Sequence, residues 1–75
     1  MLTIRARVRA AQAAIGRASA HLAAADAHAA AGDSCETEHQ LRMAVSALDI
    51  ARDLVERAAI RAALPRASSS EGGVA

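Results

Sequence analysis

Residues 28–36, His-Ala-Ala-Ala-Gly-Asp-Ser-Cys-Glu, divide the chain into two halves. Gly32 has no Cβ and is suited to the left-handed backbone conformation that ends many α-helices. Asp33 is a favoured N-cap residue, and Glu36 three positions later can reach back to complete a capping box. The segment therefore predicts the end of one helix and the start of another, joined by a turn at residues 32–33.

On both sides of this turn, apolar residues recur in steps of three and four, which is the period of one helical stripe. Folding the chain back at the turn pairs a bulky aliphatic residue with an alanine in seven layers: Ile4 with Ala62, Val8 with Ala58, Ala11 with Val55, Ile15 with Ala51, Ala18 with Leu48, Leu22 with Ala44, and Ala25 with Leu41. Layers that oppose large and small side chains let two antiparallel helices interdigitate. We therefore expect an all-α, two-helix antiparallel hairpin with these layers as its core.

The outer ends of the two helices also carry signals. Thr3 is the predicted N-cap of a first helix over about 4–31, and Pro65 is expected to stop a second helix that runs over about 34–64. The hairpin then forms one domain over 1–65. Residues 66–75 are rich in Ser and Gly and have too little apolar surface to offset the entropy of ordering, so we expect a disordered tail.

The composition argues that the hairpin does not act alone. The 75 residues include no Phe, Tyr or Trp, and a chain of this size has difficulty in building a self-sufficient core. Helix two nevertheless carries a second apolar row, too wide for one partner helix, while helix one presents small residues that allow close approach. The expected protein interface comprises Met43, Val45, Ala47, Ile50 and Leu54 on helix two, with Gly16, Ala20 and Ala24 on helix one.

These features predict a non-enzymatic protein-protein interaction module, structural or regulatory, that self-associates or docks on a larger protein through the apolar face of helix two. We expect a homodimer with four-helix-bundle, coiled-coil-like packing. No stretch is long and apolar enough to span a membrane, and the single Cys35 is typical of a reducing compartment, so the expected location is the cytoplasm.

The charges are distributed unevenly although the formal net charge is only +1. Acidic residues gather at the closed end of the hairpin, near the turn, and arginines gather at the open end. Two hairpins packed head to tail would neutralise each other's poles. The candidate phosphate-binding residues at the open end are Arg5, Arg9, Arg57 and Arg61.

The layout of two nearly equal long arms, with large and small residues in each layer, resembles the Rop-type RNA-modulator hairpin over residues 4–64. That resemblance is one of pattern alone. It implies a dimeric four-helix bundle, and it makes a nucleic-acid-binding regulator that uses the arginine cluster an alternative function. The chain carries no residue motif of that family, and it lacks the aromatic and lysine contacts expected of such an RNA binder.

A metal-binding bundle is a second alternative. Imidazole and thiolate are good zinc ligands, and the chain offers His21 and His28 two helical turns apart and Cys35 and His39 one turn apart. Neither a Cys-x-x-Cys nor a His-Glu-x-x-His motif occurs. We therefore expect no metal and no other cofactor. We also expect no catalytic residues, because carboxylates in the first turn of helix two are explained by capping and by the helix dipole.

Overall fold

The computed structural model describes residues 3–64, which form two α-helices and contain no strand. Helix α1 spans Ile4–Ala30 and helix α2 spans Ser34–Ala63. The two helices pack against each other as an antiparallel pair. The predicted hairpin is confirmed, and each helix ends within one residue of its predicted boundary. The predicted tail at 66–75 lies outside the described residues.

The turn at the closed end has the predicted glycine geometry. Gly32 has a φ angle of +79°, in the left-handed region. Its N–H donates to the carbonyl of Ala29 at 3.0 Å, and the N–H of Asp33 donates to the carbonyl of His28 at 2.9 Å. This pair of bonds is a Schellman motif, and it satisfies two of the carbonyls that a helix C-terminus leaves without partners.

The N-terminus of α2 is capped as predicted, but only one half of the capping box forms. Asp33 Oδ1 accepts a hydrogen bond from the N–H of Glu36 at 3.0 Å. The side chain of Glu36 does not return this contact, and its Oε1 instead accepts from Gln40 Nε2 at 3.2 Å. The reason is that the N–H of Asp33 already donates to His28 in the Schellman motif, so no donor is left for Glu36.

The open end of the hairpin follows the sequence signals. Thr3 Oγ1 accepts from the N–H of Ala6 at 3.0 Å, which confirms Thr3 as the N-cap of α1. At the other terminus, Leu64 adopts an extended backbone with ψ of 134°, as expected for a residue that precedes a proline. Pro65 itself lies outside the described residues.

The core of the hairpin consists of alanine. We call the eight buried alanines the seam: Ala11, Ala14, Ala18 and Ala25 on α1, and Ala44, Ala47, Ala51 and Ala58 on α2. Half-buried residues extend each row in steps of three and four, namely Arg7, His21 and His28 on α1 and Thr37, Gln40 and Leu54 on α2. No bulky side chain among residues 3–64 is fully buried.

The seven layers predicted from the sequence are therefore only half correct. Their alanine members lie in the seam, apart from the exposed Ala62, but all of their bulky members are exposed. The helices are rotated so that Ala14 and Ala47 complete the contact in place of the larger residues. Small side chains on both helices let the axes approach closely, and the bulky residues lie beside the seam.

Candidate interaction surface

The contact between His21 and Gln40 defines the two sides of the hairpin. His21 Nδ1 lies 2.7 Å from Gln40 Oε1. The α1 row that contains His21 and the α2 row that contains Gln40 therefore border the seam on the same side. The other two seam rows, which contain Ala18 on α1 and Ala44 on α2, border it on the opposite side.

A continuous aliphatic surface lies beyond those two alanine rows. Because an α-helix turns about 100° per residue, position i+4 lies about 40° further round the axis than position i. Leu22 follows Ala18 in this way and Leu48 follows Ala44. The same step places Val8, Ile15, Leu41 and Val55 on this side, and Ile4 begins the row of Ala11 and Ala18. We call this surface the aliphatic face; its members are Ile4, Val8, Ile15, Leu22, Leu41, Leu48 and Val55, each between 37% and 50% exposed.

The interface residues predicted on α2 are divided between two environments. Ala47 is buried in the seam at 6% exposure, and Leu54 is half-buried. Met43, Val45 and Ile50 are exposed. Met43 and Ile50 lie three positions beyond Gln40 and Ala47, and so they lie on the face of the hairpin opposite to the aliphatic face.

The small residues predicted as a close-approach row on α1 lie outside the seam. Gly16 and Ala20 are exposed, and Ala24 is half-buried. A Cβ added at Gly16 would meet no atom within 4 Å. Within the hairpin itself, then, the glycine at position 16 is not needed for packing.

The aliphatic face is bordered by a rim whose charge changes along its length. On α1 the rim positions are Arg5, Gln12, Ser19 and Asp26, and on α2 they are Glu38, Val45, Arg52 and Ala59. The two carboxylates lie toward the closed end and the two arginines toward the open end. Arg52 pairs with Glu56 at 3.1 Å and Glu38 with Arg42 at 2.9 Å, whereas Arg5 and Asp26 make no ion pair within residues 3–64.

The arginines at the open end are only partly brought together. A cleft of about 250 Å³ is lined by Arg7, Arg57, Ile60, Arg61 and Leu64. Of the candidate phosphate-binding residues, Arg57 and Arg61 line this cleft, and Arg5 and Arg9 do not. Arg7 is not among the candidates that the sequence indicates, but it lies seven residues before Ala14, in the row of His21, and so belongs to the side of α1 that faces α2. Arg57 Nε also donates to Asp53 Oδ2 at 3.0 Å.

The candidate metal ligands are separated. His21 is hydrogen-bonded to Gln40, and His28 Nδ1 lies 3.9 Å from Asp33 Oδ2. Cys35 and His39 are both exposed. In the described part of the chain, no three His, Cys, Asp or Glu side chains are grouped so that they could hold a metal ion.

Comparison with known proteins adds no relative: no family model, curated protein or solved structure matches this chain. Neither α1 nor α2 contains an apolar segment of membrane-spanning length. The chemistry of the surface is therefore the guide to function.

Proposed function

We propose that this chain is a non-enzymatic, cytoplasmic interaction module, structural or regulatory, whose hairpins associate in pairs as a four-helix bundle. The observation that carries the proposal is the division of apolar side chains between core and surface. Among residues 3–64 the buried side chains are all alanines, while seven bulky aliphatic residues remain exposed along one face. A larger protein that presents a similar apolar surface is the other kind of partner this face suits.

The hairpin leaves much of its aliphatic side-chain surface in water. Full burial of a Val, Leu or Ile side chain contributes about 1.5–3 kcal/mol, and the bulky residues of this chain gain only part of that in the hairpin. Small domains of this length usually need an additional stabilising element, and association is one of the available kinds. Contiguous exposed apolar surface on a small protein commonly marks an interaction site.

The carboxylates support an interaction role rather than catalysis. Asp53 pairs with Arg57, and Glu56 pairs with Arg52, each across one helical turn. Both pairs are well exposed, and exposed pairs of this kind contribute at most about 1 kcal/mol. Together with Asp49 these residues line an open cleft of about 250 Å³, but their side chains are exposed to solvent, whereas catalytic carboxylates are usually found in desolvated pockets.

The self-association is tested by light scattering on the full chain over a wide concentration range. The expected mass is about twice the 7.6 kDa of one chain. A mass of one chain at every concentration would contradict the proposed bundle.

The cleft at the open end favours one second candidate, the binding of a phosphate group of a nucleic acid. Filter binding of RNA and DNA over a salt series tests it, because phosphate contacts weaken steeply as salt rises. An interaction module of the proposed kind shows no saturable binding at physiological salt. Saturable binding that Arg7→Ala reduces and Arg9→Ala leaves unchanged would favour the nucleic-acid function, since only Arg7 lines the cleft.

A further inference from the structure

We infer that the aliphatic face is the dimer interface, and that the same face of a second copy covers it with the closed end of one hairpin over the open end of the other. This inference rests on the proposed function and specifies its surface, partner and orientation. The positions of the rim charges, the spacing of the aliphatic residues and the size of the face support it.

Two face-to-face arrangements of identical hairpins have two-fold symmetry. If the ends are opposed, the axis crosses the hairpins at mid-length, so α1 lies against α1 of the second copy and α2 against its α2. If the ends coincide, the axis runs along the bundle, and α1 lies against α2 of the second copy. The two arrangements therefore bring together different residues.

On α1, the aliphatic residues and the rim charges are arranged nearly symmetrically about Ile15, which we call the centre of this helix. Val8 and Leu22 lie seven residues before and after it. Arg5 lies ten residues before it, and Asp26 lies eleven residues after it. With opposed ends and an axis at this level, Val8 meets Leu22 of the second copy, and Arg5 lies beside its Asp26.

On α2, the corresponding centre is Val45. Glu38 and Arg52 lie seven residues on either side of it, and the midpoint of Leu41 and Leu48 is within one residue of it. An axis at this level brings Arg52 beside Glu38 of the second copy, and Leu41 over its Leu48.

The two centres lie at similar heights in the hairpin. The three-residue turn between the helices and the side-chain contact between His21 and Gln40 both place Val45 within about one helical turn of the level of Ile15. One two-fold axis between the two centres therefore brings the opposite charges of both helices, and their aliphatic residues, within about one turn of each other.

The arrangement with coincident ends is disfavoured by charge. In that arrangement Arg5 falls within about two turns of Arg52 of the second copy, and Asp26 falls within about one turn of its Glu38. Juxtaposed like charges select against an orientation, and complementary ones select for it. The rim therefore favours opposed ends.

The size of the face fits a second copy. A helix of 27 residues is about 40 Å long, and two adjacent helices are about 20 Å wide, so the face covers on the order of 800 Å². A standard stable interface buries about that area on each partner. A symmetric dimer also requires one patch that is complementary to itself. The opposite charges and the aliphatic residues on either side of each centre provide such a patch.

The interface is tested with two separate substitutions that lie two positions apart, Leu48→Asp and Ile50→Asp. The two native side chains are 45% and 49% exposed and lie on opposite faces, so the monomer should tolerate both changes equally. Light scattering and sedimentation should show at least about 100-fold weaker dimerisation for Leu48→Asp, because a charge would be buried at the interface, and less than about threefold change for Ile50→Asp.

If Leu48→Asp remained dimeric while Ile50→Asp became monomeric, the interface would lie on the Met43–Ile50 face. That result would overturn the inference and leave the proposed function intact. Monomers of the unmodified chain at every concentration would overturn both.

The orientation is tested with a cysteine at the centre. In a Cys35→Ser background, Val45→Cys should form a disulfide-linked dimer under mild oxidation, since a bridge requires Cα atoms within about 7 Å. Ala59→Cys lies on the same rim, fourteen residues from the centre, and should not cross-link. A dimer in which Ala59→Cys links faster than Val45→Cys contradicts this arrangement.

The rim charges provide an independent readout. Arg5→Asp should weaken dimerisation about tenfold at low salt, and adding Asp26→Arg should return it to within about threefold of the unmodified chain. Arg5→Asp adds a negative charge near the N-terminus of α1, and Asp26→Arg adds a positive charge near its C-terminus. The helix dipole favours both charges, so neither change should destabilise the hairpin itself. A second substitution that fails to restore the dimer overturns the pairing of Arg5 with Asp26.

Discussion

The His21 imidazole donates a hydrogen bond to the side-chain carbonyl of Gln40 across the two helices, with 2.7 Å between Nδ1 and Oε1. The direction follows because an amide oxygen only accepts. Gln40 Nε2 in turn donates to Glu36 Oε1 at 3.2 Å. This half-buried polar chain lies beside the alanines of the seam and links the two helices.

A double-mutant cycle on His21→Ala and Gln40→Ala measures this contact. We expect each single substitution to lower the free energy of unfolding by about 1 kcal/mol, and the coupling between them to be about 0.5–1.5 kcal/mol. Urea unfolding at one fixed protein concentration gives these values. His39→Ala, at an exposed position of α2, is the control and should change little. Strictly additive effects would show that the hydrogen bond contributes nothing.

The two glycines in the described part of the chain should respond to alanine in opposite directions. Gly32 has a positive φ angle, and a Cβ in that conformation costs about 1–2 kcal/mol. Gly16 is helical with open space around it, so Gly16→Ala should add about 1 kcal/mol of stability. Unfolding followed by circular dichroism distinguishes the two. A destabilising Gly16→Ala would instead indicate a partner packed on that side of α1.

Adjacent alanines in α1 should differ sharply in their tolerance of leucine. Ala14 is 0% exposed in the seam, whereas Ala13 is exposed. Ala14→Leu must separate the helix axes or strain the side chain, and we expect a loss of about 1–3 kcal/mol. Ala13→Leu should stay within about 0.5 kcal/mol of the unmodified protein. Similar losses at both positions in thermal unfolding would argue against the seam.

Thermal unfolding should depend on protein concentration. A dimer that forms only from folded hairpins is stabilised by mass action, so its melting temperature rises with concentration. The unmodified chain and Ile50→Asp should both show this rise, and Leu48→Asp should melt at one temperature throughout. Concentration-independent melting of the unmodified chain would contradict the coupling.

The ends of the helices could be predicted from local chemistry. Gly32, Asp33 and Thr3 act through bonds to residues at most five positions away, and all three have the predicted roles. Glu36 did not complete its box, because the Schellman bond from the N–H of Asp33 competes for the same donor. That competition becomes evident only when the end of α1 and the start of α2 are considered together.

The rotation of the helices could not be predicted from side-chain size. On α1, two neighbouring stripes that could face α2 share Ala11, Ala18 and Ala25. The pairing of large with small residues favours the stripe that adds Ile15 and Leu22. The other adds Ala14 together with a polar histidine, which is unfavourable in a core when its partner is unknown. Once Gln40 supplies that partner, the polar cost is met and the close alanine contact forms. The same rotation brings Arg7 to the cleft at the open end.

The rows of Ala18 and Ala44 form the edge of the seam that adjoins the aliphatic face. In the proposed dimer Leu22 and Leu48, which lie one turn beyond these alanines, would pack both against their own hairpin and against the second copy, so the interior of one chain would continue into the junction between two chains. In such a protein the dimer would dissociate at low concentration and expose the less stable monomer to proteases, whereas at high concentration the dimer would be protected. Its lifetime in a cell would then depend on how much of it is made.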